Sequence, residues 1–434
     1  MQVDAEKNPQ TGAAPVTEID RKGARLSKQY WVMAIKAMIT YLIIIWIPAC
    51  YILGSTYEQK HHVKNMKMII VDFDQSGIGK SISGTCAAAS ATENMPTFQE
   101  RTDITNYDDA YDEVWSGRYW GGVVVHQNAT QHFLEAFMKG DTSYDPKSAV
   151  SVIYNSARWP AVTFSFVKPV LPTLVEKAEG VFQDKFGTQL LEKINGTITP
   201  EMYRIFYKPF EAANDDIHPF NIGARYFLGT ATIVFPTIVT FFVSLGTRGA
   251  SQEFGHLRPI DGLIYRGVVG LVLTFIGGFF FPLWFTMFHE DAPLSVKGFF
   301  VAWMVFWLYS QACFWFFDTA ANMIPLAFLP PTCLTFIIIQ VAATVFPLDI
   351  KNRFYKIEYI WPSFNAFELF ISVVSHGSSC HAKRNVPVLF AWIIFWICVN
   401  VACHKHILNK DIKAKEENQR SESEAYASDV TAGR

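Results

Sequence analysis

The hydrophobic positions of this chain form long runs that are unevenly distributed. The first run covers residues 30–53, YWVMAIKAMITYLIIIWIPACYIL, and residues of mixed polarity follow it from 54 to 224. The later runs lie at 226–246, 267–288, 299–317, 326–347 and 387–404. Because about 20 apolar residues cross the roughly 30 Å of hydrocarbon in a bilayer, the pattern predicts six membrane spans, one followed by five.

The region between the first and second runs has a shorter period. Between residues 64 and 155, β-branched runs of strand length alternate with segments of helical character. The strand-like runs are MKMIIVDF, GGVVVH and AVSVIYN, and the helical segments follow Gly77, Ile104 and Ala129. This alternation predicts a small α/β or α+β domain in which helices cover a sheet. Residues 160–195 predict one long amphipathic helix, which we expect to form a stalk on the bilayer.

The predicted fold class is an α-helical polytopic membrane protein with six spans, one plus five, and an inserted extracytosolic α/β or α+β domain. The first span is too long for a secretory signal and lacks its small-residue cleavage site, so we interpret it as an uncleaved anchor. A shorter apolar segment at 361–374 predicts a re-entrant or interfacial helix. The chain then divides into a disordered cytosolic tail (1–29), the anchor (30–53), the extracytosolic domain with its stalk (54–224), the five-span domain (225–404) and a cytosolic tail (405–434).

Composition agrees with a membrane protein that carries one substantial water-exposed domain. Of the 434 residues, 50% are hydrophobic and 15% aromatic, and the mean hydropathy is +0.16 despite the polar middle. The formal net charge is -2, and no basic stripe interleaves with aromatic residues in the soluble part. We therefore expect no nucleic-acid partner.

Charged residues beside the spans predict the orientation of the chain. Cations precede the first span and follow the last one, so the positive-inside rule places both termini in the cytosol. The loop after the second span is also basic, whereas the loop after the third contains Glu290 and Asp291. One loop, 348–386, disagrees because it should lie outside and yet is basic. Its cations are Lys351, Arg353, Lys356, Lys383 and Arg384.

Two further features are typical of a domain outside the cytosol. N-x-T sequons at Asn128 and Asn195 predict N-linked glycans. Of the seven cysteines, only Cys86 and Cys380 are expected to face an oxidising space, and a disulfide between them is one hypothesis. The other cysteines lie in or beside the spans without metal-ligand spacing, which favours a packing role.

The stretch VDFDQSGIGKS, residues 71–81, is similar to a phosphate-binding loop after a strand. Gly79, Lys80 and Ser81 match the end of G-x-x-x-x-G-K-[ST], but Asp74 occupies the position of the first glycine. A carboxylate there repels phosphate, and aspartate resists the left-handed backbone that glycine supplies. A second interpretation takes Asp72 and Asp74 as the magnesium-binding pair of a haloacid-dehalogenase-type phosphatase. We favour a third, in which the strand ends here and a Ser or Asp caps the next helix.

A second polar segment, the connector KPFEAANDDIHPF at 208–220, contains residue types that bind metals. Asp215, Asp216 and His218 are its candidate ligands, but polar residues in a connector are more often solvated. We therefore predict no metal site and no cofactor, and we predict that the chain is not an enzyme. The alternative is an ecto-enzyme that uses Asp72 and Asp74.

Polar residues inside the predicted spans are candidates for function, because such groups are costly in hydrocarbon. The candidate set is Gln311, Asp318, Asn322, Gln340, Glu368 and Asn400. The first three are spaced by seven and four residues, which aligns them on one helical face. Under one interpretation the set lines a polar pathway; under the other, which we favour for the residues in spans, it bonds neighbouring helices. For Glu368, the outer mouth of a pathway and an exposed place on an interfacial helix are equally good interpretations.

Five motifs in a fixed order carry a family resemblance. They are VDFDQSGIG (71–79), YWGGVVVHQNAT (119–130), IYNSARW (153–159), HPF (218–220) and WPSFNAFEL (361–369). Together with the one-plus-five order of spans, they resemble the fungal nitrosoguanidine-resistance membrane protein family. That family is itself similar to the membrane part of ABC-2-type exporters, which have an outer hairpin comparable to 361–374. The resemblance extends from about Tyr30 to Cys403.

This resemblance implies tolerance of toxic chemicals, by export or by effects on membrane lipid organisation. An ABC-type cycle would need a separate ATPase subunit or another energy source. The leading hypothesis is a transporter-like protein of the plasma membrane or an endomembrane, with membrane lipids, hydrophobic small molecules and further copies of the chain as its partners. The alternative is a non-transporting scaffold or regulator that acts through its extracytosolic domain.

Overall fold

The computed structural model describes residues 28–192, 198–220, 228–253, 259–289 and 293–432. Its strands are β1 Lys67–Asp72, β2 Thr97–Glu100, β3 Gly121–Val125, β4 Val150–Tyr154 and β5 Ala212–Asp216. Its α-helices of eight residues or more are α1 Lys28–Ser55, α2 Gly77–Ser90, α3 Tyr107–Trp115, α4 Ala129–Lys139, α5 Val170–Glu192, α6 Pro200–Tyr207, α7 Leu228–Glu253, α8 Pro259–Met287, α9 Val296–Met323, α10 Leu329–Val345, α11 Pro362–Val374 and α12 Ala382–Ala432.

Five helices in the described ranges are long and apolar enough to cross a membrane. They are α1, α7, α8, α9 and the first part of α12, Ala382–Asn409, so one precedes the soluble domain and four follow it. The predicted span at 326–347 forms α10, whose 17 residues are about 25 Å long. Two prolines begin this helix and Pro347 follows it, which limits its length. Five of the six predicted spans are thus long helices, and the other is at the lower limit of span length.

The segment predicted as a re-entrant or interfacial helix is α11, which has 13 residues. Pro362 lies in its first turn, where a missing N–H removes no helical hydrogen bond. Most of its residues are buried, because the helix packs against α9, α10 and α12. At about 20 Å it is too short to cross a bilayer by itself.

The soluble domain is built on one mixed sheet with the strand order β2-β1-β3-β4-β5. β1 pairs in parallel with β2 and β3, β3 is antiparallel to β4, and β4 is parallel to β5. The predicted α/β domain is therefore confirmed. β5 lies in the connector that the sequence suggests is a polar loop. It is a partly exposed edge strand, where polar residues are tolerated. Its polar composition therefore gives no strand signal in the sequence.

Alternate residues of β1 face opposite sides of the sheet, as the period of a strand requires. Met68 and Ile70 belong to a core that includes residues of α2, α4 and α5, whereas Ile69 and Val71 pack with residues of α3. The helix predicted as a stalk is α5, and it lies against the sheet. Its buried Phe182 belongs to the same core as Met68, so the apolar face that the sequence shows is turned towards the sheet and not towards the bilayer.

One end of the sheet strands contacts the two segments that flank α11. Trp120, just before β3, donates from Nε1 to Asp349 Oδ2 at 2.9 Å, and Asn155, just after β4, donates from Nδ2 to Ser378 Oγ at 2.8 Å. The start of β3 and the end of the antiparallel β4 lie at this same end of the strands. The carboxyl ends of β1, β2 and β3 consequently lie at the opposite end, away from the membrane helices.

Candidate functional site

Four membrane helices meet at one carboxylate, that of Asp318 on α9, whose side chain is fully buried. Arg266 on α8 donates from Nε to Oδ1 of Asp318 at 2.9 Å, and Arg248 on α7 donates from Nη2 to the same oxygen at 3.2 Å. Asn400 on α12 donates from Nδ2 to Oδ2 at 2.8 Å. A single side chain therefore bonds α9 to three other helices.

Asn322 and His404, each one turn further along α9 and α12, extend this arrangement. Asn322 accepts from Arg248 Nη2 at 2.7 Å and donates to Asn400 Oδ1 at 3.0 Å. Arg266 donates from Nη2 to His404 Nε2 at 2.7 Å. We refer to the whole set as the Asp318 cluster, which consists of Arg248, Arg266, Asp318, Asn322, Asn400 and His404.

The Asp318 cluster holds two guanidinium groups and one carboxylate. Because His404 Nε2 accepts a hydrogen bond, its ring is neutral, and the cluster carries one net positive charge. Charges in hydrocarbon are costly unless they are paired and hydrogen-bonded, and each member here has such a partner. The residues lie within about two turns of the end of α7, the start of α8 and the end of α9. The cluster therefore lies towards one boundary of the membrane part.

Half of this cluster is predictable from sequence. Asp318, Asn322 and Asn400 are predicted pathway residues, and the structure brings them together. Arg248 and Arg266 are missed because the apolar runs end at 246 and begin again at 267, which assigns both arginines to a loop. The helices continue beyond those runs, to Glu253 and from Pro259, so the arginines lie inside them.

The other three predicted pathway residues lie elsewhere. Gln311 donates to a threonine hydroxyl of α8. Gln340 on α10 accepts from the backbone N–H of Ser363 at 3.0 Å, and Glu368 on α11 forms an ion pair with Arg384 on α12. Each of these residues links two elements at its own place, apart from the Asp318 cluster.

An apolar groove of about 570 Å³ lies beside Arg384. Its lining consists of Tyr359, Ile360, Arg384, Val388, Ala391, Trp392 and Phe395. The Arg384 guanidinium carbon lies 4.8 Å from the centre of the Tyr359 ring, a cation–π distance. Apolar walls of this kind suit the hydrophobic part of a small molecule.

A second buried ion pair joins Lys351 and Glu358 in the segment between α10 and α11. Lys351 Nζ lies 2.5 Å from Glu358 Oε2, and neither side chain has exposed surface. Nζ also donates to Ala342 O at 2.6 Å, and the Tyr51 hydroxyl donates to Glu358 Oε1 at 3.3 Å. Burial lowers the pKa of Lys351 and raises that of Glu358, while their mutual attraction opposes both changes. The pair fastens this segment to α1 and α10.

The two aspartates of VDFDQSGIGKS accept hydrogen bonds from the local fold. Asp72 Oδ1 accepts from the backbone N–H groups of Asp74 and Gln75, both at 2.9 Å. Asp74 accepts from Thr130 Oγ1 at 2.5 Å and from the N–H of Gly79, in the first turn of α2, at 3.3 Å. These are turn and helix-cap contacts, as the favoured interpretation of this stretch requires. Burial raises the pKa of Asp72.

The aspartates of the polar connector also have protein partners. Asp215 accepts from the Tyr107 hydroxyl at 2.5 Å, and Asp216 accepts from Ser156 Oγ at 2.5 Å. His218 makes a ring contact with a histidine that follows α11. Within the described ranges, no group of three His, Cys, Asp or Glu residues is arranged to hold a metal ion.

The structure does not join Cys86 and Cys380, whose pairing is one hypothesis from the sequence. Cys86 is buried on α2 in the core of the soluble domain, Cys380 is exposed, and both thiols are free. Burial raises the pKa of Cys86 to about 12. Of the two predicted glycan sites, Asn128 is exposed immediately before α4, and Asn195 lies outside the described residues.

Comparison with known proteins shows the family. Residues 37–398 match the family described as Protein of unknown function (DUF3533). An uncharacterized endoplasmic reticulum membrane protein of Saccharomyces cerevisiae is 25% identical over 317 residues, which are 69% of this chain and 62% of the yeast protein. The chain thus spans less than two thirds of the length of that relative. No solved structure matches. Since the family match runs from α1 to α12, this polytopic membrane protein belongs to the DUF3533 family.

Proposed function

We propose that the protein is transporter-like: it moves lipids or hydrophobic small molecules across or within the membrane and thereby contributes to resistance to toxic chemicals. The observation that carries this proposal is the Asp318 cluster. Ionised groups inside the membrane part of a protein are costly to maintain and are typical of pathways and of helices that move against one another. Anchoring helices alone need no such cluster.

The cluster couples the helices that bear it. Movement of α7 or α8 relative to α9 breaks the bond from a guanidinium to Asp318 and leaves that guanidinium without its carboxylate, whereas movement of α12 breaks the bond from the Asn400 amide. Such a state is costly in hydrocarbon but tolerable where water or an anion enters. Breaking and re-forming these bonds is therefore the step through which we propose that the helices move.

The groove beside Arg384 supports the substrate class. Its apolar walls fit an acyl chain or a hydrophobic toxicant. The name of the yeast relative favours an endomembrane as the location. We propose further that the chain has no enzymatic activity, because within the described ranges no group of three metal-binding side chains is arranged around Asp72 and Asp74 as a metal-dependent phosphatase would require. We also propose that copies of the chain associate with one another and that both termini lie in the cytosol.

The experiment is a flux assay on purified protein in phospholipid vesicles. Transbilayer movement of a fluorescent phospholipid, or of a hydrophobic dye, is followed by quenching from outside. We expect Asp318→Asn to slow protein-dependent movement about tenfold, because the two guanidiniums lose their counter-charge. His404→Gln is a gentler change that retains hydrogen-bonding capacity, and it should slow movement less.

Thr286→Val is the matched control, because among the described residues the Thr286 hydroxyl bonds only to Pro282 O of its own helix α8, at 2.7 Å. This variant should retain the wild-type rate. Absence of any protein-dependent movement for both probes would refute the transporter proposal and favour the scaffold. Equal rates in folded Asp318→Asn, His404→Gln and wild-type protein would show that the Asp318 cluster is not needed for movement of the probes.

A further inference from the structure

The soluble domain has a crevice at the carboxyl ends of β1, β2 and β3, which point away from the membrane helices. β1 lies between β2 and β3, and these parallel strands end there at Asp72, Glu100 and Val125. After β1 the chain continues through α2 on one face of the sheet, and after β2 it continues through α3 on the other. Because the two connections diverge, a space opens outside the carboxyl ends of the strands. This is the place where open α/β sheets bind ligands.

The crevice has a volume of about 600 Å³, which is sufficient for a small organic molecule. Residues that line it include Asp72, Glu100, Arg101, Asn106, Tyr107 and His126. The Tyr107 hydroxyl donates to Asp215, and the ring is stacked on that of His126 with 5.6 Å between centroids. His126 Nε2 is in turn 2.8 Å from Ser151 Oγ. These contacts fix one wall in place, which lowers the entropic cost of binding.

The charges of the crevice do not balance. Arg101 is bonded to both carboxylate oxygens of Asp103, at 2.7 and 2.6 Å, so its charge is already matched. Within the described ranges Asp72 accepts only backbone N–H groups, and Glu100 meets only the hydroxyl of Ser83. Two carboxylates without a cationic partner at a crevice with low-dielectric walls attract a positive ligand.

We propose that this crevice binds a small organic cation, with its ammonium group at Asp72 and Glu100 and its apolar part against Tyr107. Attraction between a cation and an aromatic ring adds to the ionic contacts. A metal ion fits less well, because no group of three metal-binding side chains is arranged for one in the described ranges. The crevice and the Asp318 cluster share no residues, so this inference is independent of the proposed transport.

The test uses the full chain in lipid nanodiscs, with choline and putrescine as probes and 3,3-dimethylbutan-1-ol as a neutral compound of the shape of choline. Binding is measured by ligand-observed NMR. We expect both cations to bind and the neutral compound to bind at least about tenfold more weakly. Asp72→Asn should weaken cation binding about tenfold, while keeping the oxygen that accepts the turn hydrogen bonds. Thr105→Trp, which fills the exposed mouth of the crevice, should abolish binding without removing a carboxylate.

Asp108→Asn is the matched control, since Asp108 is an exposed carboxylate in the first turn of α3 that does not line the crevice. It should leave binding unchanged. A bound cation favours the ionised carboxylate, so affinity should fall as the pH decreases through the pKa of Asp72. The other charged or titratable groups that line the crevice are Glu100, Arg101, Tyr107 and His126.

Three results would overturn the proposal: no detectable binding of either cation, equal binding of choline and its neutral analogue, or unchanged binding in both folded variants of the crevice. Preferential binding of a divalent metal would also overturn it, since the crevice would then be a metal site. Failure of lipid movement in vesicles would leave it unaffected, because that assay reports on the membrane helices alone.

Discussion

The ion pair of Lys351 and Glu358 makes a quantitative prediction, because removal of either partner leaves the other alone in a buried position. Glu358→Gln leaves the ammonium group of Lys351, and Lys351→Met leaves the carboxylate of Glu358. Both changes preserve the approximate volume of the side chain. Since neither side chain has exposed surface, the remaining group cannot recover its hydration without a structural rearrangement.

The loss of folding free energy in each single variant has an upper limit, because the remaining group can become neutral instead of staying charged. For Lys351 at pH 7 this requires loss of a proton about 3.5 pH units below the ordinary pKa of 10.5, or about 4.8 kcal/mol. For Glu358 it requires uptake of a proton about 2.5 units above the ordinary pKa of 4.5, or about 3.4 kcal/mol. Both limits fall near the roughly 3–5 kcal/mol that breaking a buried pair costs.

The two variants should respond to pH in opposite directions. In Glu358→Gln the folded state holds neutral lysine while the unfolded state binds a proton, so stability rises with pH. In Lys351→Met the folded state holds protonated glutamic acid and the unfolded state is ionised, so stability rises as pH falls towards the ordinary pKa of the carboxyl. Each slope approaches about 1.4 kcal/mol per pH unit. The wild-type pair is charged in both states and should change little near neutrality.

The assay is thermal unfolding of purified protein, followed by tryptophan fluorescence at pH 5.5, 7.0 and 8.5. The double variant Lys351→Met with Glu358→Gln is the control, because it leaves no buried charge and should recover most of the lost stability. If both single variants unfold within about 1 kcal/mol of wild type at every pH, the pair is solvated and the reasoning fails. Slopes of the same sign in the two variants would also refute it.

Three further changes have expected outcomes. Gly79→Ala should lower the free energy of unfolding by about 1–3 kcal/mol, because the new Cβ would lie 2.1 Å from an oxygen of Asp72. The control is Gly84→Ala on the same helix, which has open space around it and should not destabilise the protein. In sealed vesicles of known orientation, a membrane-impermeant maleimide should label Cys380 from the extracytosolic side, and labelling from the opposite side would contradict the predicted topology. Asn128→Gln should remove one glycan from the mass seen before N-glycosidase treatment, and an unchanged mass would contradict glycosylation there.

The fold is largely predictable from the sequence, because its elements are local patterns. The apolar runs locate the long membrane helices, and the alternation of strand-like and helical segments gives the α/β domain. Strand β5 escapes prediction because Ala212–Asp216 is polar and becomes a strand only through pairing with β4. The role of α5 escapes for a related reason. An amphipathic helix shows that it has an apolar face, but only the tertiary structure shows whether a sheet or a bilayer covers that face.

The candidate site is less predictable, because the positions of charged residues in the sequence do not show which of them form pairs. The basic loop at 348–386 counts against its predicted outer location if its cations are free in solution. The structure gives Lys351 a buried partner in Glu358 and gives Arg384 a partner in Glu368. The positive-inside rule counts Lys and Arg during insertion and gives Asp and Glu little weight, so these pairs explain how the folded protein holds the cations but leave the disagreement over orientation in place. The same reasoning applies at the opposite boundary, where the cation count treats Arg248 and Arg266 as an orientation signal although the structure uses both to hold Asp318.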